Sequence, residues 1–120
     1  MTRRIIAVVD DMLFAAKIRG TAEGAGVAIH FARNISKVCQ LAIAEPVSLI
    51  IVDLHTQCCD PFALAEHLVS DEHFKTIPLL GFFSHVQVAL GKRAEEVGYG
   101  RVLTRSVFSN NLPLILTGEF

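Results

Sequence analysis

The sequence predicts an α/β fold in which parallel strands alternate with helices. Short apolar segments typical of strands are each followed by a segment in which apolar residues recur every three or four positions, as in a helix. This alternation occurs five times. The runs at 5–9 and 49–52 are rich in β-branched residues without intervening polar ones, which is typical of strands buried on both faces. Strands that alternate with single helices form parallel units with right-handed crossovers and a sheet covered on both faces.

The boundaries of the predicted elements follow from caps and breakers. The predicted strands cover 5–9, 27–31, 49–53, 79–83 and 101–104. The predicted helices cover 13–23, 36–44, 61–69, 86–97 and 111–116. Ser36 is the expected N-cap of the second helix, and Asp60 followed by Pro61 starts the third. We therefore expect a three-layer doubly wound, flavodoxin-like fold with five parallel strands in the order 2-1-3-4-5.

Composition limits the classes of function. The 120 residues are 52% hydrophobic, so we expect a single domain over 1–120. The net charge of −1 does not suggest a nucleic-acid or membrane surface, and no apolar run approaches the roughly 18 residues of a membrane span. The three cysteines do not make a disulfide framework. We expect a cytoplasmic protein.

Carboxylates follow two strands that should be neighbours in the sheet. Asp10 and Asp11 follow the first strand, and Asp53 ends the third. In doubly wound folds ligands bind at the carboxyl ends of the strands, where the strand order reverses. Carboxylates crowded at that edge predict a divalent cation held by oxygen ligands, most plausibly Mg²⁺. The simpler interpretation is that Asp10 and Asp11 only cap the first helix.

With these aspartates the sequence resembles the receiver domains of response regulators over essentially its whole length. The matching segments are "IIAVVDD", "LIIVDLHTQCCDPFAL", "IPLLGFFSH" and "GYGRVLTRS". The resemblance implies that Asp53 accepts a phosphoryl group from a histidine kinase or a phosphotransfer protein. It also implies Mg²⁺ held by Asp10, Asp11, Asp53 and the backbone carbonyl of His55. We expect no enzyme activity beyond this self-catalysed phosphoryl transfer.

The chain departs from the family pattern at the residues that read phosphorylation. Phe83 stands at the position of the switch hydroxyl, and Ser84 would face the other way unless a bulge near Gly81 intervenes. Arg105 stands in place of the family's lysine, and we expect it to point at Asp53 and take over that role. Three further positions differ from the family pattern, namely Gln57, Val102 and Ser106.

Several functions remain open at this point. The favoured interpretation is a phosphorylated signalling domain, and the alternative is a phosphorylation-independent pseudo-receiver that acts as a protein-binding module. A flavodoxin-like cofactor enzyme lacks a phosphate-binding loop after the first strand. An output protein is expected on the face from strand four to helix five. A transition-metal site at His55 and His85, and a redox role for Cys58 and Cys59, are less favoured than packing or hydrogen bonding.

Overall fold

A five-stranded parallel sheet forms the centre of the protein, which a computed structural model describes over residues 3–84 and 86–120. The strands are β1 (Arg4–Val8), β2 (Ala28–Phe31), β3 (Leu49–Asp53), β4 (Leu79–Phe83) and β5 (Arg101–Thr104). The helices are α1 (Met12–Ala25), α2 (Ile35–Ala44), α3 (Pro61–Val69), α4 (Val88–Val97), α5 (Arg105–Asn110) and α6 (Leu112–Thr117). The strand order is 2-1-3-4-5, so the predicted fold class is confirmed.

The strand register decides which residues meet at the carboxyl edge of the sheet. Val8 is the partner of Val52, and Asp53 is the partner of Phe82. The chain returns from β1 to the outer strand β2, whereas from β3 it continues to β4 and β5 on the other side. The strand order therefore reverses between β1 and β3, where the segments after Val8 and Val52 lie side by side.

Two hydrophobic cores hold the helices on opposite faces of the sheet. Ile6, Val8, Ile50 and Val52 pack with residues of α2, α3 and α4. Ile5, Ala7, Ile51 and Phe82 pack with residues of α1, α5 and α6. Successive strand residues point to opposite faces, so a central strand such as β1 or β3, buried on both faces, needs apolar residues at nearly every position. This explains the continuous apolar runs of β1 and β3.

The helix boundaries correct two predictions. Asn34, and not Ser36, caps α2, because the Asn34 side chain accepts a hydrogen bond of 2.7 Å from the amide of Lys37. The C-terminal segment forms two helices, α5 and α6, where the sequence predicts one helix over 111–116. The α5 helix went unrecognised because Phe108 is its only buried residue, so its six residues show no apolar period.

Gly81 does not introduce a bulge into β4. Gly81 and Phe83 pair in unbroken register with Val102 and Thr104 of β5, so the bulge that could have turned Ser84 to the other side is not formed. A Cβ atom at Gly81 would lie 3.1 Å from a methyl carbon of Leu54. Gly81 therefore allows Leu54, the residue after Asp53, to pack closely against β4.

No helix within the described ranges is long and apolar enough to cross a membrane.

Arg4 joins β1 to the end of α2. It is only 8% exposed, and its Nη1 donates hydrogen bonds of 2.7 Å to the carbonyl oxygens of Leu41 and Glu45. The last carbonyl groups of a helix lack partners within the helix, so a buried guanidinium is a suitable donor for them.

We expect Arg4→Met to lower the free energy of unfolding by about 2–3 kcal/mol, because two carbonyl groups lose a charged donor in a buried place. Urea unfolding followed by circular dichroism measures this loss. Arg33→Met is the matched control, since Arg33 is exposed. Equal midpoints for the two variants would show that Arg4 does not stabilise α2.

Candidate functional site

Asp53 is a buried carboxylate at the end of β3. It is 2% exposed, and its Oδ1 accepts a hydrogen bond of 2.9 Å from the backbone amide of His55. Burial raises the pKa of the Asp53 carboxyl, while the His55 amide and the Arg105 guanidinium oppose that rise and Asp10 adds to it. A buried acid without these partners would be far costlier to ionise.

Arg105 is the cation that faces Asp53. Its Nη2 lies 3.5 Å from Asp53 Oδ2, so it points at Asp53 as the sequence predicts. The residue begins α5 directly after β5, where the helix dipole disfavours a positive charge. Its Nε is buried and has no hydrogen-bond partner among the described residues. An unsatisfied buried donor beside a carboxylate is a free position for an anionic oxygen.

A stack of aromatic rings supports the Arg105 guanidinium. The guanidinium carbon lies 5.1 Å from the centroid of the Phe14 ring, on α1. Phe14 stacks on Phe82 and Phe108, with ring centroids 5.1 and 5.8 Å away, and the last two rings are 4.3 Å apart. The stack therefore joins α1, β4 and α5 beneath the ion pair and limits where Arg105 can move.

Asp10 is half-buried and is held by the loop that follows β3. Its Oδ2 accepts a hydrogen bond of 3.0 Å from the backbone amide of Gln57. Gln57 stands where the receiver pattern has proline, and proline has no amide hydrogen to donate. This departure from the pattern therefore supplies a donor that orients Asp10.

Asp11 caps α1, which is the role that the simpler interpretation of Asp10 and Asp11 gives it. Its Oδ1 accepts hydrogen bonds from the amides of Leu13 and Phe14, at 3.0 and 3.1 Å. Both bonds use the same oxygen, so Oδ2 remains available on the exposed side of the residue. Capping by Oδ1 and metal ligation by Oδ2 are therefore compatible.

The carboxylates at this edge of the sheet meet some of the requirements of a site for a hard divalent cation. Within the described residues, no group of three or more His, Cys, Asp or Glu side chains is placed to hold a metal ion. The three carboxylates do not form such a group in the described structure, in which Asp11 uses Oδ1 for its helix cap. Asp10 and Asp53 do lie close enough for Asp10 to raise the pKa of Asp53. Two adjacent carboxylates with water and a carbonyl group are a usual environment for Mg²⁺.

The segment after β4 contacts the loop after β3 through a backbone amide and not through a hydroxyl. The Ser84 amide donates a hydrogen bond of 2.9 Å to Nε2 of His55. Phe83 turns its ring towards α4, where a Cβ atom at Gly91 would lie 2.8 Å from Phe83 Cζ. Neither Phe83 nor Ser84 forms a side-chain hydrogen bond with Asp53 in the described structure. His85, the second residue of the predicted transition-metal site, lies outside the described residues.

The adjacent cysteines are placed for packing. Cys58 and Cys59 lie half-buried against the core on the α3 side of the sheet. Burial, together with Cys58, raises the pKa of the Cys59 thiol to about 11. A thiol with so high a pKa is a poor nucleophile at neutral pH, which favours the packing interpretation.

Solved structures with the same architecture identify the fold. The chemotaxis response regulator CheY4 of Vibrio cholerae superposes with a TM-score of 0.82 at 17% identity, covering all of both chains. The chain has the fold of the CheY-like receiver domains. The phosphorylated cyanobacterial phytochrome response regulator RcpA superposes with a TM-score of 0.79 at 17% identity, over 98% of this chain and 91% of that one.

A third receiver domain of the same architecture contains a bound metal. The receiver domain of the sensor histidine kinase PA1611 of Pseudomonas aeruginosa has magnesium coordinated in its active-site cleft. It superposes with a TM-score of 0.82 at 14% identity, over 98% of this chain and 97% of that one. No protein-family profile and no curated protein matches the sequence. The receiver fold is thus confirmed, at low sequence identity.

Several contacts of this receiver fold escape sequence reasoning. The His55 side chain, the Gln57 amide and the Phe14 ring all contact the site, but none of them belongs to an acidic or basic motif. A contact made by a backbone amide cannot be predicted from the residue type, because every residue except proline has an amide hydrogen.

We expect Arg105→Ala to raise the pKa of Asp53, because the variant loses the positive charge that favours the ionised carboxylate. The loss of stability should be about 1 kcal/mol or less, since the Arg105 side chain is 39% exposed and solvent screens the pair. Carbon-13 NMR of the Asp53 carboxyl group measures the pKa. Arg33→Ala is the control, and an Asp53 pKa that is the same in both variants would exclude the pairing.

We expect Asp53→Asn to raise the free energy of unfolding at pH 7 by roughly 0.5–2 kcal/mol, a gain typical of functional sites that hold a costly group. The native state binds the Asp53 proton more tightly than the unfolded chain, so wild-type stability increases as pH falls through the raised pKa. The advantage of the variant should therefore shrink as pH falls through that range.

Urea unfolding at several pH values tests this expectation. Glu96→Gln removes a carboxylate from an exposed position on α4 and is the control. A lower free energy of unfolding for Asp53→Asn than for the wild type at pH 7 would contradict this expectation. The buried carboxylate would then stabilise the fold and not cost stability.

Proposed function

We propose that the chain is a signalling receiver domain that accepts a phosphoryl group on Asp53 from a histidine kinase or a phosphotransfer protein. One observation carries the proposal. The buried Asp53 carboxylate faces Arg105, whose buried Nε has no acceptor among the described residues. A phosphoryl group on Asp53 would supply that acceptor. The fold shared with the phosphorylated RcpA supports the same interpretation.

The two oxygens of Asp53 have different surroundings. Oδ1 is held by the His55 amide, and Oδ2 faces the guanidinium at 3.5 Å. We assign Oδ2 as the nucleophile. It attacks phosphorus and forms an oxygen–phosphorus bond, while the bond from phosphorus to the donor imidazole breaks. The electron pair of that bond leaves with the imidazole. Burial raises the pKa of Asp53, so the aspartate needs its partners to remain ionised for attack.

Arg105 then holds the product. A guanidinium donates through a planar fork that matches phosphate oxygens, and it remains charged at all relevant pH values. In the unphosphorylated protein only Nη2 approaches the carboxylate. On phosphorylation Nε can donate a hydrogen bond to a phosphoryl oxygen. This bond from a charged guanidinium stabilises the added negative charge. The Phe14 ring limits the guanidinium to this side of the pocket.

Asp10, Asp53, Oδ2 of Asp11 and the backbone carbonyl of His55 are the groups that would hold Mg²⁺. When bound, the cation would neutralise charge on the phosphoryl oxygens. The Gln57 amide fixes Asp10 on the side that faces Asp53. The magnesium in the cleft of the PA1611 receiver domain supports this assignment.

Exposed apolar side chains surround the Asp53 edge and suit a protein as the phosphoryl donor. They follow the ends of β1, β4 and β5, and they are Met12, Leu13, Val86, Val88 and Val107, with 85, 87, 69, 58 and 40% of their surfaces exposed. Val88 and Val107 also belong to the face from β4 to α5 that we propose for an output protein. We propose no enzyme activity other than self-phosphorylation, and no nucleic-acid partner.

The alternative is a phosphorylation-independent binding module. Phe83 supports it, because its ring lies against Gly91 of α4 and it has no hydroxyl to follow a phosphoryl group. A ligand shifts a conformational equilibrium only through contacts that differ between the two states. A receiver with this substitution should therefore change little across β4 and α4 even when Asp53 is phosphorylated.

We expect acetyl phosphate with Mg²⁺ to add the mass of one phosphoryl group to the protein, as measured by intact-mass spectrometry. Asp53→Asn should abolish the addition, because the amide is not a nucleophile. Asp60→Asn is the matched control, since it changes a nearby aspartate and its amide oxygen can still cap α3. No addition to the wild type, with or without Mg²⁺, would favour the binding module.

The response to phosphorylation can be separated from phosphorylation itself. We expect beryllofluoride to shift amide resonances around Asp53 and Arg105 strongly, and those of α4 only weakly. The reason is that Phe83 makes no contact which changes between the states. Shifts throughout 86–97 as large as those beside Asp53 would contradict this expectation and would show that the chain switches without the usual hydroxyl.

A further inference from the structure

The outer edge of β2 is not used by the proposed function. β2 is the last strand on its side of the sheet and, within the described ranges, it pairs only with β1. We propose that this edge binds an extended acidic segment of a partner protein, which adds to the sheet as a further strand. The observations behind it are the unpaired backbone of β2 and three exposed cations beside that backbone, Arg19, Arg33 and Lys37.

The hydrogen bonds of β2 show which of its backbone groups are unpaired. The amides of Ala28 and Ala32 donate to carbonyl groups on the β1 side, at 2.9 and 3.0 Å. Because every second residue of a parallel strand bonds to the same neighbour, His30 also faces β1. Ile29 and Phe31 therefore turn their amide and carbonyl groups outwards, where no described strand lies. An edge of this kind is a template for another strand.

Arg19 of α1 supplies a cation beside this backbone. Its guanidinium carbon lies 4.8 Å from the centroid of the Phe31 ring. Phe31 pairs with Ala7, at the end of β1 away from residues 1–2. No carboxylate lies within 4.0 Å of Arg19 in the described part of the chain, and this includes Glu23, one turn further along α1. Arg19 is thus held near Phe31 while its charge stays available to a partner.

Arg33 and Lys37 supply cations on the other face of the sheet. Arg33 lies in the loop between β2 and α2. Cys39 lies on the flank of α2 that faces α3, since burial raises the pKa of its thiol and Asp71, which follows α3, raises it further. Lys37 precedes Cys39 by two residues, about 200° around a helix, so it lies on the opposite flank. Because α2 leads from β2 to β3, that flank borders the outer edge of β2.

The charge around the β2 edge differs from that of the whole chain. Residues 12–44, which include α1, β2 and α2, contain four basic residues and one acidic residue. The rest of the chain contains seven basic and eleven acidic residues. Asp10 and Asp11 follow β1 and belong to the Asp53 site. A local excess of positive charge attracts an acidic partner and speeds its association.

The backbone decides which acidic partner fits the β2 edge. Ile29 and Phe31 each present an amide donor and a carbonyl acceptor, and an extended peptide pairs with both groups. The phosphates of a nucleic acid accept hydrogen bonds but donate none to the carbonyl groups. A second copy of this chain would place the same cations opposite one another, and like charges across paired strands destabilise the pairing. An acidic strand from another protein meets both requirements.

The β2 edge is separate from the Asp53 site. β1 lies between β2 and β3, and strands are about 4.8 Å apart, so an added strand would lie roughly 14 Å from β3. Binding at this edge therefore does not require a phosphoryl group on Asp53, and either proposal can fail while the other holds.

Fluorescence anisotropy tests the proposal with the full chain and a labelled peptide of about ten alternating Glu and Val residues. We expect saturable binding, weakened about threefold by Lys37→Gln because one exposed cation is lost. Lys92→Gln is the matched control and should leave the affinity unchanged, since Lys92 is exposed on α4. A peptide of the same sequence with a methyl group on every backbone nitrogen should bind at least about tenfold more weakly, because it has no amide hydrogen to donate.

Amide hydrogen exchange locates the bound peptide. We expect the amides of Ile29 and Phe31 to exchange rapidly in the free protein and slowly in the complex, because the peptide provides acceptors for them. The amides of Ala28 and His30 already bond to β1, so their exchange should not change.

The proposal is overturned by the absence of saturable binding, or by an equal affinity of the wild type and Lys37→Gln. Equal affinity for the methylated peptide would also overturn it, because strand pairing would then contribute nothing. Slow exchange of Ile29 and Phe31 in the free protein would show that the β2 edge is already covered. Tighter binding of single-stranded DNA than of the peptide would show that the cations recognise phosphate and not an acidic strand.

Discussion

The burial of one carboxylate at the carboxyl edge of the sheet determines the arrangement of the candidate site. Asp53 ends a strand that is apolar on both faces, and the His55 amide and the Arg105 guanidinium help to make its charge tolerable there. Burial still raises its pKa. The protein therefore keeps an acid that costs stability, which is a common sign of a functional group.

The ion pair in turn depends on the two hydrophobic cores. Phe14, Phe82 and Phe108 come from α1, β4 and α5, and their stack lies beneath Arg105 on one face of the sheet. On the other face, the ring of Phe83 occupies the space left by Gly91. On the function that we propose, the packing that supports Asp53 and Arg105 also fills the position of the family's switch hydroxyl. We therefore propose that accepting a phosphoryl group and transmitting its effect are separable in this chain.

Hydrophobic patterning was sufficient to predict the strands and the position of Asp53, because buried parallel strands need continuous apolar runs, and the strand order followed from the usual order of the flavodoxin-like fold. The same reasoning could not find α5, which buries only Phe108, or the Asn34 cap, which competes with Ser36 two residues later. It placed Arg105 correctly, since few cations follow β5. It left open whether Asp11 caps the first helix or binds a metal, and the structure shows that Oδ1 of Asp11 forms the cap. Contacts made by backbone amides, such as that of Gln57, depend on loop geometry and have no sequence signature.

The most direct test of the central claim is a crystal structure of the protein with Mg²⁺ and beryllofluoride. The account predicts beryllium on Oδ2 of Asp53 and a hydrogen bond from Arg105 Nε to one of its fluorine atoms, with the guanidinium still against Phe14. It also predicts that Phe83 keeps its contact with Gly91. An Arg105 side chain turned into solvent, with the fluorine atoms contacted by other residues, would contradict the claim that this arginine receives the phosphoryl group.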